Sequence, residues 1–199
     1  MKSKKLVFGI GLNDSDYVVH KVEKINGRQK TVWMCPFYSR WYDMLKRCYS
    51  PIIQKRHPTY QGCTVDQNWL KFSNFKAWME TQDWEDRHLD KDLLINGNKI
   101  YSSDKCVFIH KTLNMFTTDR INDRGDCMLG VYWNAKEGKF RSQISNPFTN
   151  KREMLGRYSD EIQAHLAWKT RKHELACMLA ESEYVDDPRV AEALRTRYL

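Results

Sequence analysis

The chain has 199 residues, of which 41% are hydrophobic and 13% aromatic, and its formal net charge is +8. This composition excludes general disorder, and only 9 glycines without a visible repeat exclude collagen-like and repeat architectures. The basic surplus combined with many aromatic residues suits phosphate contacts and base stacking, so nucleic acid is a candidate partner beside the alternative of a merely solvated basic surface.

The sequence predicts no membrane partner and a reducing compartment. No apolar run approaches the ~20 residues that a transmembrane helix needs. Three N-terminal lysines precede an apolar stretch, but Asn13–Asp16 follows it without a small-residue cleavage site, so we expect mature structure rather than a signal peptide. Six cysteines without a C-x-x-C pair favour reduced thiols and a cytoplasmic protein.

Residues 1–35 are predicted to form a β-rich N-terminal arm. Strands are expected at Lys5–Ile10 and Tyr17–Lys21, and Ile25–Arg28 carries an Asn-Gly hairpin signal. The pattern leaves open whether this arm binds DNA, covers another element or docks a partner.

Two helices are predicted next, at Tyr38–Tyr49 and Asn68–Thr81. Their apolar residues recur at helical spacing, and we expect the helices to pack on each other through their aromatic side chains. Lys71 and Lys76 lie on the other side of the second helix, where they are candidate DNA contacts or part of a solvated face.

The period changes to two after Arg87, which predicts a strand at His88–Leu94. A turn follows at Asn96–Asn98, then a strand at Cys106–Ile109 and a helix at Lys111–Thr117. Strand alternation places one imidazole and two carboxylates on one face: His88, Asp90 and Asp92. Such a set can hold a divalent cation and activate water, and a polar strand edge paired with lysines is the alternative.

This segment resembles the ββα-metal finger of HNH endonucleases. Asp90-Lys91 falls on the family's Asp-His pair, Asn98 lies in the hairpin loop, and Asn114 falls on the helix residue that shares the metal with the aspartate. The resemblance implies a Mg²⁺ or Mn²⁺ cofactor held by Asp90 and Asn114, with Asp92 as a further or outer ligand.

Lys91 stands where the family has its water-activating histidine. An unperturbed lysine pKa of ~10.4 makes a poor base at neutral pH, although His88 shares the strand face with Asp90 and could take the proton. The finger is therefore either a rewired nuclease site or a DNA-binding element that has lost catalysis. A zinc site is not favoured, because the spacing of Cys48, His57 and Cys63, with or without Cys35, matches no compact knuckle.

The last third is predicted to hold three short strands and two helices, after a polar linker at Thr118–Asp126. The strands are Gly130–Trp133, Lys139–Ser145 and Glu153–Tyr158, and the helices are Asp160–Ala180 and Pro188–Tyr198. Alternation sends Lys139, Arg141 and Gln143 to one face of the sheet and its apolar residues to the face towards the helix.

The order Gly-Val-x-Trp, Gly-Lys-aromatic-Arg and Leu-Gly-x-aromatic before a helix resembles the DNA-binding domain of ethylene-response-factor type. That domain lays a three-stranded sheet in the major groove. The resemblance implies DNA contacts by Tyr132, Trp133, Arg141 and Arg157, beside Lys139 and Gln143.

Together these segments resemble bacteriophage-encoded HNH endonucleases and their homing relatives. The predicted fold class is α+β, with an arm at 1–35, a helical and finger domain at 36–118, a sheet and helix domain at 127–182, and a terminal helix at 183–199. The expected partner is double-stranded DNA in the cytoplasm of an infected bacterial cell. The expected function is a metal-dependent endonuclease or nickase, and the alternative is a DNA-binding phage regulator or host-takeover protein without catalysis.

Overall fold

The computed structural model describes residues 6–118 and 126–199. These residues combine α-helices with short strand pairs and one antiparallel three-stranded sheet, which confirms the predicted α+β class. The chain divides into two compact units, Met1–Phe108 and Ile109–Leu199. Most of the predicted linker, residues 119–125, lies outside the described residues.

In its described residues, from Leu6 onwards, the first unit contains three α-helices and small two-stranded sheets. Its helices are α1 (Pro36–Tyr49), α2 (Pro51–Arg56) and α3 (Phe72–Met79), and its strands are β1 (His20–Ile25), β2 (Arg28–Met34), β3 (Thr64–Val65), β4 (Arg87–Asp90) and β5 (Ile100–Tyr101), with β6 (Val107–His110) at its end. β1 pairs with β2, β3 pairs in parallel with β5, and β4 pairs with β6.

The core of this unit is aromatic, as predicted from the two helices. Trp41 of α1 is fully buried, its ring lies 5.5 Å from Phe72 of α3, and its indole N–H donates to the carbonyl of Trp69 at 2.7 Å. A buried indole that finds an acceptor buries its large apolar surface without leaving its N–H unpaired.

The predicted helix Asn68–Thr81 is interrupted, because an N-terminal segment pairs with its middle. Residues Gln67–Leu70 form a 3-10 turn, Lys71 is extended, and α3 begins at Phe72. The N–H of Leu12 donates to the carbonyl of Leu70 at 2.8 Å, and the N–H of Phe72 donates to the carbonyl of Leu12 at 3.0 Å. Sequence periodicity describes neighbouring residues, so it cannot reveal that Leu12 pairs with residues 70–72.

The predicted strand Lys5–Ile10 is wrong over its described part. Val7 bridges Gly11 across a tight turn, in which Phe8 and Gly9 both have positive φ, at 50° and 77°. A Cβ on Gly11 would lie 2.3 Å from Leu45, so the turn allows close packing on α1. The second predicted strand, Tyr17–Lys21, is shifted: β1 runs from His20 to Ile25.

The second unit contains the predicted sheet and its helices. Its elements are α4 (Lys111–Thr117), β7 (Val131–Asn134), β8 (Lys139–Ser145), β9 (Arg152–Tyr158), α5 (Glu161–Ala180) and α6 (Pro188–Thr196). The strand order is β7-β8-β9, all antiparallel, and α5 packs on one face of this sheet. Asp160 and Asp187 cap α5 and α6 by accepting backbone N–H groups.

Two glycines explain the motifs that precede α5. Gly130 has a φ of +75°, and a Cβ there would lie 1.9 Å from the Trp168 ring, so the strand start packs directly on α5. Gly156 follows a bulge in β9 and has a φ of +144°, a conformation that favours glycine. The Tyr158 hydroxyl then donates to the Leu155 carbonyl at 3.1 Å, which closes the bulge.

Candidate functional site

The face of the sheet away from α5 carries a row of one tyrosine and two arginines. Tyr132 lies opposite Arg141, which lies opposite Arg157 on the third strand. An N–H of the Arg141 guanidinium donates to the Tyr132 hydroxyl at 3.4 Å. Ser142 and Ile144, which alternate with Arg141 along β8, are buried. The predicted alternation of cationic and apolar faces is therefore present in β8.

Glu137, in the turn between β7 and β8, binds both arginines of this row. Arg141 donates to Glu137 Oε2 from Nε at 3.0 Å and to Oε1 from Nη2, and the Arg157 Nε lies 3.5 Å from Oε2. The hydrogen bond from Arg141 lowers the pKa of Glu137 below its ordinary value of 4.5. Arg141 is consequently held in place with 23% of its side chain exposed, whereas Arg157 remains 64% exposed.

The other predicted contacts of the sheet divide between its two faces. Lys139 donates from Nζ to the Ser159 hydroxyl at 2.5 Å, and Gln143 lies opposite Met154 beside the arginine row. Trp133 lies opposite Phe140 with the ring centroids 4.7 Å apart, which places it on the side away from Arg141. Because it lies on that side, Trp133 does not belong to the arginine row. Its side chain is half exposed there.

In the first unit, β4 ends at Asp90 because the Asp90 side chain turns the chain. Asp90 Oδ1 accepts the backbone N–H groups of Asp92 at 2.9 Å and Leu93 at 2.7 Å. This Asx-type turn stops the predicted strand His88–Leu94 at Asp90, and Asp92 comes near Asp90 through the turn rather than through strand alternation.

Asp90 and Asp92 form a pair of interacting carboxylates. Burial raises the pKa of Asp90 above its ordinary value of 3.8, and the charge of Asp92 raises it further, against the two backbone hydrogen bonds. Such a pair is stabilised by a proton or by a cation that relieves the repulsion.

Lys91 and Asn98 fix the loop beside this pair. The buried Lys91 donates from Nζ to Asp92 Oδ2 at 3.0 Å and to the Asn98 carbonyl at 2.9 Å. Asn98 in turn donates to the carbonyls of Lys91 at 2.6 Å and Ile100 at 2.8 Å, and accepts the Ile100 N–H at 3.1 Å. The structure thus joins four predicted residues, Asp90, Lys91, Asp92 and Asn98, in one hydrogen-bonded loop.

The other predicted finger residues lie on separate elements. His88 is exposed on β4, two residues before Asp90. Asn114 lies on α4 in the second unit, where its carbonyl accepts the Thr118 N–H at 3.2 Å and the Thr118 hydroxyl at 2.6 Å. His88 therefore belongs to the first unit and Asn114 to the second.

The two predicted DNA contacts around α3 are engaged by acids. Lys71 lies 3.4 Å from Asp14 Oδ2, and Lys76 pairs with Glu80 one turn later while its Nζ lies 5.3 Å from the Phe37 ring centroid. A phosphate contact by either lysine has to compete with the carboxylate that already binds it.

Cys48 and Cys63 are buried in the aromatic core, which is an ordinary place for a cysteine. Burial raises the pKa of Cys48 to about 12. Across residues 6–118 and 126–199, no group of three or more His, Cys, Asp or Glu side chains is arranged to hold a metal ion. Over the same residues, no helix combines the length and apolar character needed to cross a bilayer.

Sequence reasoning missed Glu137 as part of the site. Glu137 lies in the turn before β8, four residues before Arg141, and strand alternation gives no position to a side chain in a turn. No protein-family model, curated protein or solved structure matches this chain. The functional argument therefore depends on the residues themselves.

Proposed function

We propose that the protein binds double-stranded DNA through the β7-β8-β9 sheet. The observation that carries this proposal is the row Tyr132, Arg141 and Arg157, which lies on the face of the sheet that α5 leaves uncovered. A guanidinium can donate two parallel hydrogen bonds to a phosphate or to a guanine edge, and the contact with guanine is the commonest specific contact in the major groove.

Glu137 holds Arg141 in one orientation by binding its Nε and Nη2 donors, so a DNA contact through those two donors has to compete with this carboxylate. Arg157, which is 64% exposed, is the more accessible of the two arginines. Gln143 on the same face can pair with an adenine edge, and Lys139 supplies a further cation. The net charge of +8 favours the approach of the protein to a polyanion.

The test is titration of the full chain against duplex DNA, with Arg157→Ala beside a matched control, Arg195→Ala. Arg195 is an exposed arginine on α6 of the same unit. Loss of a base-reading Arg157 should weaken binding by about 1–3 kcal/mol and reduce discrimination between sequences. Equal and small losses in both variants would refute the proposal.

A second candidate function is metal-dependent hydrolysis of the DNA backbone, and the Asp90–Asp92 pair favours it. Carboxylates are the hard oxygen donors that Mg²⁺ and Mn²⁺ prefer, so Asp90 and Asp92 would supply two ligands of such an ion. An ion bound there would share Asp92 with Lys91 Nζ, which lies 3.0 Å from Oδ2. When bound, a divalent cation supplies neutralisation of the charge that develops at the scissile phosphate.

The protein's own groups would then position the cation and move a proton. Asn98 holds the backbone of Lys91, and Lys91 Nζ binds Asp92, so the lysine serves to fix the acidic loop. His88 is exposed on β4, and an imidazole is a side chain that serves as a general base. We include Asn114 as a further candidate ligand on the resemblance to the HNH finger alone.

Supercoiled plasmid incubated with Mg²⁺ or Mn²⁺ distinguishes the two functions, with Asp90→Ala and His88→Ala beside the wild type. Nicking that both substitutions abolish supports an HNH-type nickase or endonuclease. Absence of nicking while DNA binding persists supports the alternative, a catalytically silent DNA-binding protein. The setting we propose for either function is the cytoplasm of a bacterium infected by a phage that encodes the protein.

A further inference from the structure

The β1–β2 hairpin extends from the first unit as an exposed two-stranded ribbon. Its turn, Asn26-Gly27, has φ of 50° and 78°, which is the two-residue turn that matches strand twist. Every residue of the two strands is exposed except Met34, which is partly buried. At about 3.3 Å per residue, each strand is roughly 20 Å long.

At its base the ribbon is fixed to the rest of its unit. Val19 is buried, its carbonyl accepts the Cys35 N–H at 2.8 Å, and the His20 ring stacks on Tyr38 at 6.1 Å. An isolated hairpin in water is marginally stable at best, so a hairpin with both faces exposed is typical of an element that is completed by a partner.

The charge of the ribbon indicates the chemistry of that partner. Four cations, Lys21, Lys24, Arg28 and Lys30, stand against the single acid Glu23. Within residues 6–118 and 126–199, none of these four cations comes within ion-pair distance of a carboxylate. The cations around α3, by contrast, are already paired with acids.

The strand register concentrates this charge on one face. Lys21 opposes Trp33, Glu23 opposes Lys30 and Ile25 opposes Arg28. Three of the four cations therefore share a face with Trp33, which is 44% exposed, and with the single acid Glu23, so this face keeps a cationic excess. The bulge at Lys21/Val22 twists the ribbon near this tryptophan. A row of cations with an exposed indole suits phosphates and the apolar surface between them.

We infer that the β1–β2 hairpin is a second DNA-binding element, which lies in the major groove of a duplex with Lys21, Arg28 and Lys30 against the phosphates. The major groove, about 12 Å wide, admits a two-stranded ribbon. This inference rests on the proposed binding of double-stranded DNA, and it adds a separate contact surface on the first unit.

The test uses the full chain and a matched pair of charge-removing variants, Arg28→Gln/Lys30→Gln and Lys55→Gln/Arg56→Gln. The control removes the same two residue types from exposed positions at the end of α2 in the same unit. Binding to a fluorescein-labelled duplex is followed by anisotropy from 50 to 200 mM salt.

Two lost phosphate contacts flatten the slope of log affinity against log salt by about 1.8, at about 0.9 per phosphate. Across this fourfold range of salt the wild type should therefore lose about twelvefold more affinity than the hairpin variant, while the control keeps the wild-type slope. Equal slopes in all three proteins would overturn the inference.

A second measurement does not depend on substitution. Trypsin cuts after Lys24 and Arg28 in the free protein should be slowed at least tenfold by duplex DNA and not by poly-glutamate, which imitates an acidic protein partner. Equal protection by poly-glutamate, or none by DNA, would refute the assignment to DNA.

The two proposals fail in different ways. If the wild type binds no duplex, the proposed function itself fails. If Arg157→Ala weakens binding while the hairpin variant matches its control, the sheet binds DNA and the hairpin does not.

Discussion

Asn98 is expected to hold the acidic loop in place, and its removal is a direct test of the site geometry. The side chain makes three hydrogen bonds, to the Lys91 carbonyl and to the carbonyl and N–H of Ile100. Each is worth about 0.5–1.5 kcal/mol. Two of the three are exposed to solvent, so we expect Asn98→Ala to lower the free energy of unfolding by about 2 kcal/mol.

Urea denaturation measures this effect. With a slope of about 1–3 kcal/mol per molar urea, the midpoint should fall by about 1 M. Asn96→Ala is the control, since Asn96 is exposed in the same turn and a surface substitution changes stability by less than about 0.5 kcal/mol.

Hydrogen exchange at the Ile100 amide separates the contribution of one bond. Asn98→Ala should lose protection there, because the acceptor Oδ1 is gone, whereas Asn98→Asp retains an acceptor for that N–H. Asn98→Asp should still be destabilised, because its carboxylate faces the two carbonyls that the amide had served. If Asn98→Ala and Asn96→Ala unfold at the same urea concentration, the loop does not depend on Asn98 and the reasoning is refuted.

Three other outcomes follow from the geometry. Because the folded pKa of Asp90 is raised, its contribution to wild-type stability is fully present below the ordinary pKa of 3.8 and is lost as pH rises through the folded value. With divalent ions chelated, the stability gain of Asp90→Asn over the wild type should therefore grow with pH. A pH-independent difference would contradict this. Gly130→Ala combines a positive φ with a clash on Trp168, so it should lower the free energy of unfolding by about 3 kcal/mol, measured by thermal denaturation. Gly138→Ala also has a positive φ but open space around it, and it should lower the free energy of unfolding by about 1 kcal/mol. Cys48, whose pKa burial raises to about 12, should resist iodoacetamide at pH 8 until the protein is unfolded, as read by peptide mass mapping; rapid labelling of the native protein would argue against its burial.

The C-terminal sheet could be predicted from the sequence because its signals are local. Strand alternation in β8 and the glycines before the aromatic residues each act within a few residues. The helix α4 was likewise predicted with the bounds that the structure has, Lys111–Thr117.

The parts that could not be predicted depend on contacts between distant residues or on one side chain. The break at Lys71 comes from pairing with Leu12, and the early end of β4 comes from Asp90 binding two N–H groups of the next residues. Glu137 was missed because alternation describes strands and gives no position to a side chain in a turn.

The pairing of Leu12 with residues 70–72 also has a consequence for synthesis on the ribosome. Asp14 accepts the backbone N–H and the hydroxyl of Ser73, a partner 59 residues later in the chain. At about 5–20 residues per second, translation takes roughly 3–12 s to cover that distance. During that interval the segment can pack on α1 through Gly11, but Leu12 and Asp14 lack their partners at residues 70–73, so codon usage between these two points sets how long those backbone and carboxylate groups wait for them.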